Sequence, residues 1–223
     1  MHPSTDRSVP GIAIFDLDRT LTRRDTLLPY IASFLIGRPH RWLRLWRLPL
    51  DFVSFALGRV DRDRLKERVV AACFQGATRE EIARCTDSFV EGLCRTGLRT
   101  DARAALERHR DRGDRLVLLS ASVDLYVEAI ASRLGFVECI CTGTTWNGGR
   151  LSGRFSTPNR RGGEKARVIR ELRVRHPGHV TAYADSRSDL DHLMLADTGV
   201  LVNGSQRARR SAAELGLVTV DWH

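Results

Sequence analysis

Several stretches of the chain are apolar at successive positions instead of alternating with polar residues. The first, residues 11–15, runs straight into two carboxylates, Asp16 and Asp18. A strand that is apolar on both faces belongs to a parallel sheet covered by helices. Residues 115–119 and 180–184 are predicted strands of the same kind, each following a segment with helical periodicity. Strands that alternate with helices predict an α/β fold built on a doubly wound parallel sheet.

A long stretch after the first strand contains no convincing strand pattern. It predicts four helices separated by glycine and proline, over residues 27–37, 41–57, 62–74 and 79–95. Thr78, followed three residues later by Glu81, predicts a capping box at the start of the fourth helix. We therefore expect two parts: an α/β core domain of residues 1–24 and 98–223, and an inserted all-helical cap domain of residues 25–97.

One segment of the core interrupts the alternation of strands and helices. Asn147-Gly148-Gly149 lies between two short runs with strand character, residues 144–146 and 150–155. Asn-Gly is a strong signal for a tight hairpin turn, because both positions tolerate a left-handed backbone. The pattern predicts a β-hairpin here.

Composition limits the classes of protein without choosing a function. With 223 residues and 42% hydrophobic content, the chain can bury a core with a small insert. The net charge of +9 invites a nucleic-acid or anionic-membrane partner. The basic residues are dispersed and no nucleic-acid motif is present, so we expect no nucleic-acid partner and keep a basic binding module without catalysis as a remote alternative. Five cysteines without a Cys-x-x-Cys pair argue against a disulfide framework and a structural zinc site.

Nothing in the sequence predicts a membrane span. The first seven residues contain no apolar signal region. The longest apolar stretches, residues 27–37 and 48–57, are shorter than the roughly 20 residues that a spanning helix needs. We expect a cytoplasmic protein that can lie peripherally at the inner face of the membrane.

Polar side chains follow three of the predicted strands. Asp16 and Asp18 follow the first, Ser120 the second, and Asp185 and Asp189 the third. The carboxyl ends of parallel strands share one edge of the sheet, where ligands bind in open α/β folds. Two carboxylates as close as Asp16 and Asp18 repel unless a cation or a shared proton relieves them, and Mg²⁺ prefers such oxygen ligands. The open alternative is that residues 16–22 only cap the next helix.

Lysine is rare in this chain, so each lysine calls for a reason. Of the 36 basic residues only Lys66 and Lys165 are lysines. Lys66 lies in a charged helical segment, where solvation accounts for it. Lys165 follows a glycine pair and has no such surroundings. A hydroxyl, several carboxylates and one ammonium match the needs of phosphoryl transfer, in which cations offset charge on the phosphoryl oxygens.

These residues resemble the four motifs of the haloacid dehalogenase (HAD) superfamily of phosphohydrolases. In chain order the motifs are Asp16-Leu17-Asp18-Arg19-Thr20, Ser120, Lys165 and the acidic segment from Asp185 to Asp189. The insert directly after the first motif is similar to subfamily IB, the phosphoserine-phosphatase-like branch. Residues 25–30, 120–126, 159–165 and 183–190 resemble its phosphatidylglycerophosphatase C type. Two positions depart from the family pattern: Arg19 and Ala184 stand where glycine is common.

The resemblance implies a role for each motif residue. Asp16 would attack phosphorus and form an aspartyl-phosphate, and Asp18 would act as the general acid and then the general base. Ser120 and Lys165 would bind the phosphoryl oxygens. Arg19 would alter substrate access or add a phosphate contact.

The resemblance also implies Mg²⁺ as the cofactor. The ion would be held by Asp16, Asp185 and the backbone carbonyl of Asp18. Asp189 would support these ligands, either directly or by orienting water molecules.

The cap offers two interpretations of the substrate. Arg38, Arg41, and Arg44 or Arg47 recur at helical spacing beside Trp42 and Trp46. Basic residues interleaved with tryptophan suit an anionic membrane surface, and hence a lipid phosphate such as phosphatidylglycerophosphate. Alternatively, the tryptophans pack on neighbouring helices and the arginines are solvated.

Asp25 is the residue that bears on a small substrate. Its carboxylate could pair with the ammonium of phosphoserine or of another amine-bearing phosphate such as histidinol phosphate. It could equally cap the helix that begins at Leu27. The expected partner is therefore a phosphorylated small molecule or lipid.

Overall fold

A parallel sheet lies at the centre of the chain in the computed structural model, which describes residues 9–223. The first seven residues, where no signal region was found, lie outside the described residues. Within the described part the sheet has six strands in the order β3-β2-β1-β6-β7-β8, and every neighbouring pair is parallel. The strands are β1 Ile12–Phe15, β2 Arg115–Val123, β3 Glu138–Thr142, β6 Val180–Ala184, β7 Thr198–Val202 and β8 Val218–Val220, and a separate antiparallel pair comprises β4 Thr144–Asn147 and β5 Arg150–Phe155.

The helices divide between the insert and the sheet. Those of the insert are α1 Leu27–Leu35, α2 Pro39–Trp42, α3 Leu48–Ala56, α4 Arg62–Phe74 and α5 Arg79–Gly92. Those between or after the later strands are α6 Thr100–Asp111, α7 Asp124–Arg133, α8 Gly163–Arg175, α9 Leu190–Leu193 and α10 Gln206–Glu214. Over residues 9–223, no helix has both the length and the apolar character that crossing a bilayer requires.

Alternate residues of β1 serve two hydrophobic cores, one on each face of the sheet. Ala13 and Phe15 join a core that includes residues of α1, α5, α6 and α7. Ile12 and Ile14 join a second core with residues of α8, α9 and α10. All four side chains are at most 2% exposed. The prediction of a doubly wound parallel sheet, with a first strand buried on both faces, is confirmed.

Three details of the predicted elements are wrong. Residues 41–57 do not form one helix: α2 begins earlier, with Pro39 at its first turn, and a tighter 3₁₀ segment, Leu43–Arg47, separates α2 from α3. The second strand does not end at Leu119, because β2 continues through Ser120 to Val123. The fourth helix of the insert does not reach residue 95: α5 ends at Gly92, and a wider helical turn, Leu93–Gly97, follows it. The capping box of Thr78 and Glu81 is confirmed.

The predicted hairpin is present and connects the insert to the core. Gly148 and Gly149 form the two-residue turn between β4 and β5, with φ of 54° and 76°. Leu151 of β5 exchanges backbone hydrogen bonds with the chain at the end of α4, accepting one from Gly76 at 2.8 Å and donating one to Ala77 at 2.9 Å. The hairpin therefore fixes the C-terminal end of α4.

Gly153 is expected to be the glycine of this hairpin that least tolerates a side chain. Its φ is +82°, and an added Cβ would lie 2.8 Å from Ala71 Cβ and 3.0 Å from Ala71 Cα in α4. We expect Gly153→Ala to lower the free energy of unfolding by about 3 kcal/mol, because strain and overpacking add.

The matched control is Gly149→Ala, which has a similar φ of +76° but no atom within 4 Å of the added Cβ. It should cost only about 1 kcal/mol. Urea unfolding of the two variants measures the difference, and equal losses would show that α4 does not pack closely on the hairpin.

Candidate active site

The sheet topology brings the predicted acidic residues to one edge. β1 is paired with β2 on one side and with β6 on the other, with Phe15 opposite Leu118 and Tyr183. The backbone of Asp16 extends this ladder by one further bond, donating to the Tyr183 carbonyl at 3.0 Å. Asp16 and the residues that follow β6 therefore lie at neighbouring carboxyl ends. The chain moves outward from β1 in both directions, so this is also the switch point of the sheet, where α/β folds bind ligands.

Lys165 lies between two of these carboxylates. Its Nζ donates to Asp16 Oδ1 at 2.7 Å and to Asp189 Oδ1 at 3.2 Å. All three residues are buried, and Lys165 is 3% exposed. The lysine is on the first turn of α8, which begins after Gly162 in a backbone conformation, φ 54° and ψ −120°, that favours glycine. The turn before α8 thus places the ammonium of Lys165 against the carboxylate of Asp16.

Burial and charge shift the titration of this cluster. Burial raises the pKa of Asp16 to about 7; the ammonium of Lys165 opposes the shift and the charge of Asp189 adds to it. Burial alone would lower the pKa of Lys165, but the carboxylates of Asp16 and Asp189 outweigh it and raise that pKa above its usual value. The cluster therefore holds more negative than positive charge in a poorly solvated place.

Asp18 is held by the start of the helical insert and the end of β2. Its Oδ1 accepts hydrogen bonds from both the backbone N–H and the hydroxyl of Thr26, each at 2.6 Å. Its Oδ2 accepts from the hydroxyl of Ser122 at 2.7 Å. The Thr26 hydroxyl also contacts the phenol of Tyr126 at 2.9 Å. The carboxylate of Asp18 thereby connects the first motif to the insert and to the end of β2. These partners are distinct from Lys165, which holds Asp16.

Ser120 is buried beneath the site. It is 0% exposed, and its Oγ accepts a hydrogen bond from the backbone of Ser122 at 3.0 Å. The cavity that contains Asp16 is lined at this point by the next residue, Ala121. The role of Ser120 in binding phosphoryl oxygens stays a prediction. Ser122, which the sequence reading did not select, contacts Asp18 directly.

Asp25 and Arg19 pair with each other. The guanidinium of Arg19 lies 2.9 Å from Asp25 Oδ2, and both side chains are more than half exposed. The interpretation of Asp25 as a helix cap is wrong, because Thr26 occupies the position before α1. The broader alternative, that residues 16–22 only cap a helix, is also wrong: they form a single turn, and α1 begins five residues later.

Asp185 completes the acidic group and bears on the metal. It is half-buried, and burial raises its pKa to about 6, with Asp189 adding to the shift. Among the described residues, no three Asp, Glu, His or Cys side chains converge closely enough to hold a metal by themselves. Mg²⁺, however, commonly takes one or two carboxylates and completes its shell with water and phosphate. The carboxylates of Asp16 and Asp185 and the carbonyl of Asp18 are donors of this kind.

Lys66 is the functional candidate that the sequence reading missed. It is half-buried instead of solvated: its Nζ donates to the Ala121 carbonyl and to Asn159 Oδ1, the latter at 2.9 Å. Burial lowers its pKa to about 8. Both lysines of the chain therefore line the same cavity. Their shared rarity among 36 basic residues was the signal that could have identified it.

The cavity is lined by both charged and apolar side chains, and its exposed mouth includes the Arg19–Asp25 pair as well as Leu28 and Phe52. Its volume is about 450 Å³. Its charged lining consists of Asp16, Asp18, Arg19, Asp25, Arg62, Lys66, Arg161, Lys165, Asp185 and Asp189. Its apolar lining includes Leu27, Leu28, Phe52, Leu65 and Val69, all from the helical insert. An anionic group with an apolar neighbour fits both surfaces.

Comparison with known proteins agrees with this geometry. The model of the haloacid dehalogenase-like hydrolase family matches residues 13–194. Protein CicA of Caulobacter vibrioides is 31% identical over 191 residues, which are 84% of each chain. The chain belongs to the haloacid dehalogenase-like hydrolase family. The prediction of a phosphatase of this superfamily is confirmed by the family match together with the phosphoserine phosphatase relative described next.

Two further proteins are similar to this hydrolase. Phosphoserine phosphatase SerB1 of Mycobacterium tuberculosis is 26% identical over 226 residues, covering 95% of this chain and 72% of the relative. A crystal structure of a protein of unknown function from Bordetella pertussis Tohama I superposes with a TM-score of 0.78 at 25% identity, covering 96% of this chain and 99% of that one. The fold of the hydrolase therefore extends across nearly its whole length.

The backbone at Arg19 explains why glycine is common there and generates a test. Arg19 has a φ of 61°, one of two left-handed non-glycine residues in the described chain. We expect the free energy of unfolding of Arg19→Gly to be about 1 kcal/mol higher than that of Arg19→Ala. Both variants lose the ion pair with Asp25. Their difference in chemical denaturation therefore measures the cost of the left-handed backbone alone. If the alanine variant is as stable as the glycine variant, the turn does not hold this conformation in solution.

Proposed function

We propose that this hydrolase cleaves phosphate monoesters through an aspartyl-phosphate formed on Asp16. The observation that supports the proposal most is the 2.7 Å contact between the buried ammonium of Lys165 and the carboxylate of Asp16. An ammonium in this position can offset the charge of a phosphoryl group that approaches Asp16. The same cavity is lined by Asp18, Asp185 and Asp189.

The proposed reaction has two steps. A carboxylate oxygen of Asp16 attacks phosphorus, the bond from phosphorus to the leaving oxygen breaks, and Asp18 supplies the proton that the alcohol takes away. Asp18 then takes a proton from water as the water oxygen attacks phosphorus. The bond between phosphorus and Asp16 breaks, which releases inorganic phosphate and restores the carboxylate. The hydrogen bonds of Asp18 with Thr26 and Ser122 keep its carboxyl group fixed for both proton transfers.

Mg²⁺ is the proposed cofactor. Asp16, Asp185 and the backbone carbonyl of Asp18 would hold it. The pKa values of the two carboxyl groups are raised mainly by burial, with the charge of Asp189 adding, and a cation would stabilise their ionised forms. Bound there, the ion would stabilise charge on the phosphoryl oxygens. Asp189 would act indirectly, because its Oδ1 is bonded to Lys165 and its Oδ2 accepts from the Ser186 hydroxyl.

We propose further that residues 25–97 form a cap over this site and select the substrate. This segment lines the cavity with five apolar side chains beside Asp25, Arg62 and Lys66, which favours a phosphate ester with an apolar portion, such as the lipid phosphatidylglycerophosphate. A cytoplasmic enzyme of this kind would meet its substrate at the inner face of the membrane. The second candidate is phosphoserine, which the name of the SerB1 relative suggests. Against an amine-bearing substrate, Asp25 is already paired with Arg19.

The decisive variant for the chemistry is Asp16→Asn. We expect turnover of an aryl phosphate to fall by about a thousandfold or more, because an amide cannot act as the nucleophile. EDTA should have a comparable effect that added Mg²⁺ reverses. The matched control, Asp87→Asn, changes an exposed carboxylate on α5 and should leave turnover unchanged. Undiminished activity of Asp16→Asn would refute the assignment.

The substrate class calls for a direct comparison. Phosphatidylglycerophosphate in mixed micelles, phosphoserine and histidinol phosphate are assayed with the wild-type chain under one set of conditions. The apolar side chains that the insert contributes to the cavity predict the highest kcat/KM for the lipid. A strong preference for phosphoserine or histidinol phosphate would overturn the lipid assignment and leave the chemistry at Asp16 intact.

Lys66 is expected to contribute a second cation to substrate binding. We expect Lys66→Met to lower kcat/KM by about tenfold to a hundredfold, because a charge in a poorly solvated cavity acts more strongly than one in water. The control Arg64→Met removes an exposed charge from the same helix, α4. The assays are run well below the melting temperature of each variant, and an unchanged kcat/KM for Lys66→Met would exclude the role.

A further inference from the structure

Helix α3 is exposed on nearly all sides although its sequence is apolar. None of its residues, Leu48–Ala56, is buried. Large apolar side chains are also exposed in the neighbouring 3₁₀ segment and in the loop after α3. We define the α3 surface as the large exposed side chains of this region, namely Trp42, Leu43, Trp46, Leu50, Phe52, Val53, Phe55 and Leu57, which are 40–77% exposed. A continuous apolar area of this kind marks an interaction site.

The position of Asp51 shows which side of α3 faces outward. Asp51 forms an ion pair with Arg68 of α4, so that side of α3 is turned toward the protein. At 100° per residue, Val53 lies on the opposite side of the helix and is 54% exposed; Leu57, directly after the helix, is 62% exposed. The apolar residues that face outward therefore lie on the side of α3 away from α4.

The charges around the α3 surface identify its occupant. Residues 36–60 contain five arginines and one acidic residue, Asp51, which is paired with Arg68. Arg38 and Arg41 pair with Glu81, so the positive charges that count for a partner are those of Arg44 and Arg59. Arg44 and Arg59 are exposed beside the apolar side chains. A second copy of the chain seated symmetrically here would bring like charges together. Anionic lipid headgroups would neutralise the arginines, while tryptophan, leucine and phenylalanine enter the boundary between headgroups and acyl chains.

The α3 surface is continuous with the mouth of the cavity. Phe52 belongs to the α3 surface and also lines the cavity that contains Asp16 and Lys165. Leu28, at the same mouth, is 70% exposed. A bilayer in contact with the α3 surface would therefore lie against the entrance of the cavity.

We propose that the α3 surface docks the protein on a bilayer that contains anionic lipid, with the cavity mouth facing the lipid. The delivery of a phosphorylated lipid from the bilayer to Asp16 rests on the proposed function, whereas docking does not. This arrangement would let a lipid headgroup reach the charged side chains of the cavity while its acyl chains remain in the membrane.

Vesicle sedimentation of the full chain tests the docking. The vesicles are pure phosphatidylcholine, or phosphatidylcholine with phosphatidylglycerol. We expect the wild-type chain to bind the anionic vesicles, and the double variant Val53→Glu, Leu57→Glu to bind them about tenfold or more weakly. The control Val174→Glu changes an 87% exposed valine on α8, away from the α3 surface, and should bind like the wild type. Arg44→Gln should weaken binding to anionic vesicles about fivefold and leave binding to neutral vesicles unchanged.

Two further measurements separate the possible failures. Turnover of a soluble aryl phosphate without vesicles should be the same for the wild type, the double variant and the control, since none of the changed residues is placed in the catalytic machinery. If the wild type binds vesicles but does not hydrolyse aryl phosphate, the proposed function is rejected and the docking proposal stands. Docking is overturned if the wild type stays in the supernatant with anionic vesicles, if the double variant sediments like it, or if gel filtration shows a dimer that the double variant dissociates.

Discussion

The buried ammonium of Lys165 is the group on which the site depends. Asp16 and Asp189 are both buried, and without a cation between them two carboxylates would share a poorly solvated space. Removing one partner of a buried ion pair commonly costs about 3–5 kcal/mol, because the remaining charge stays unpaired. The lysine therefore pairs two buried carboxylates that would otherwise repel each other. In our proposal it also offsets the charge of the phosphoryl group.

The topology of the sheet explains why these residues meet. β1 is central, and its neighbours β2 and β6 are separated from it in sequence by the helical insert and by most of the core. Asp16 ends β1, while Asp185 follows β6 and Lys165 begins the helix that precedes β6. Each side chain is thus fixed by an element with a buried apolar face. A site built in this way is positioned by the packing of both cores, and the insert adds the contacts of Thr26 with Asp18.

The core and most of the charged side chains of the cavity could be predicted from the sequence because they follow local rules. An apolar run ending in two aspartates, and a lysine after two glycines, carry their information within a few residues. Lys66 was missed because its burial depends on α4 meeting Ala121 and Asn159, which are distant in sequence. Ser122 was missed because β2 continues past Leu119, and that depends on its pairing with β3.

Asp25 shows the same limit. Its partner is determined by the left-handed turn at Arg19, which no periodic pattern reveals. The exposure of α3 likewise depends on tertiary packing, since an apolar helix in a sequence is ordinarily expected to be buried.

Direct detection of the phosphorylated intermediate tests the central claim most closely. The wild-type chain is mixed rapidly with a phosphate ester, quenched in acid during turnover and digested, and the peptides are examined by mass spectrometry. The account predicts a phosphorylated peptide whose modification maps to Asp16 and is removed by hydroxylamine, as expected of an acyl phosphate. Phosphate on another residue, or turnover with no phosphorylated peptide at any quench time, would contradict it.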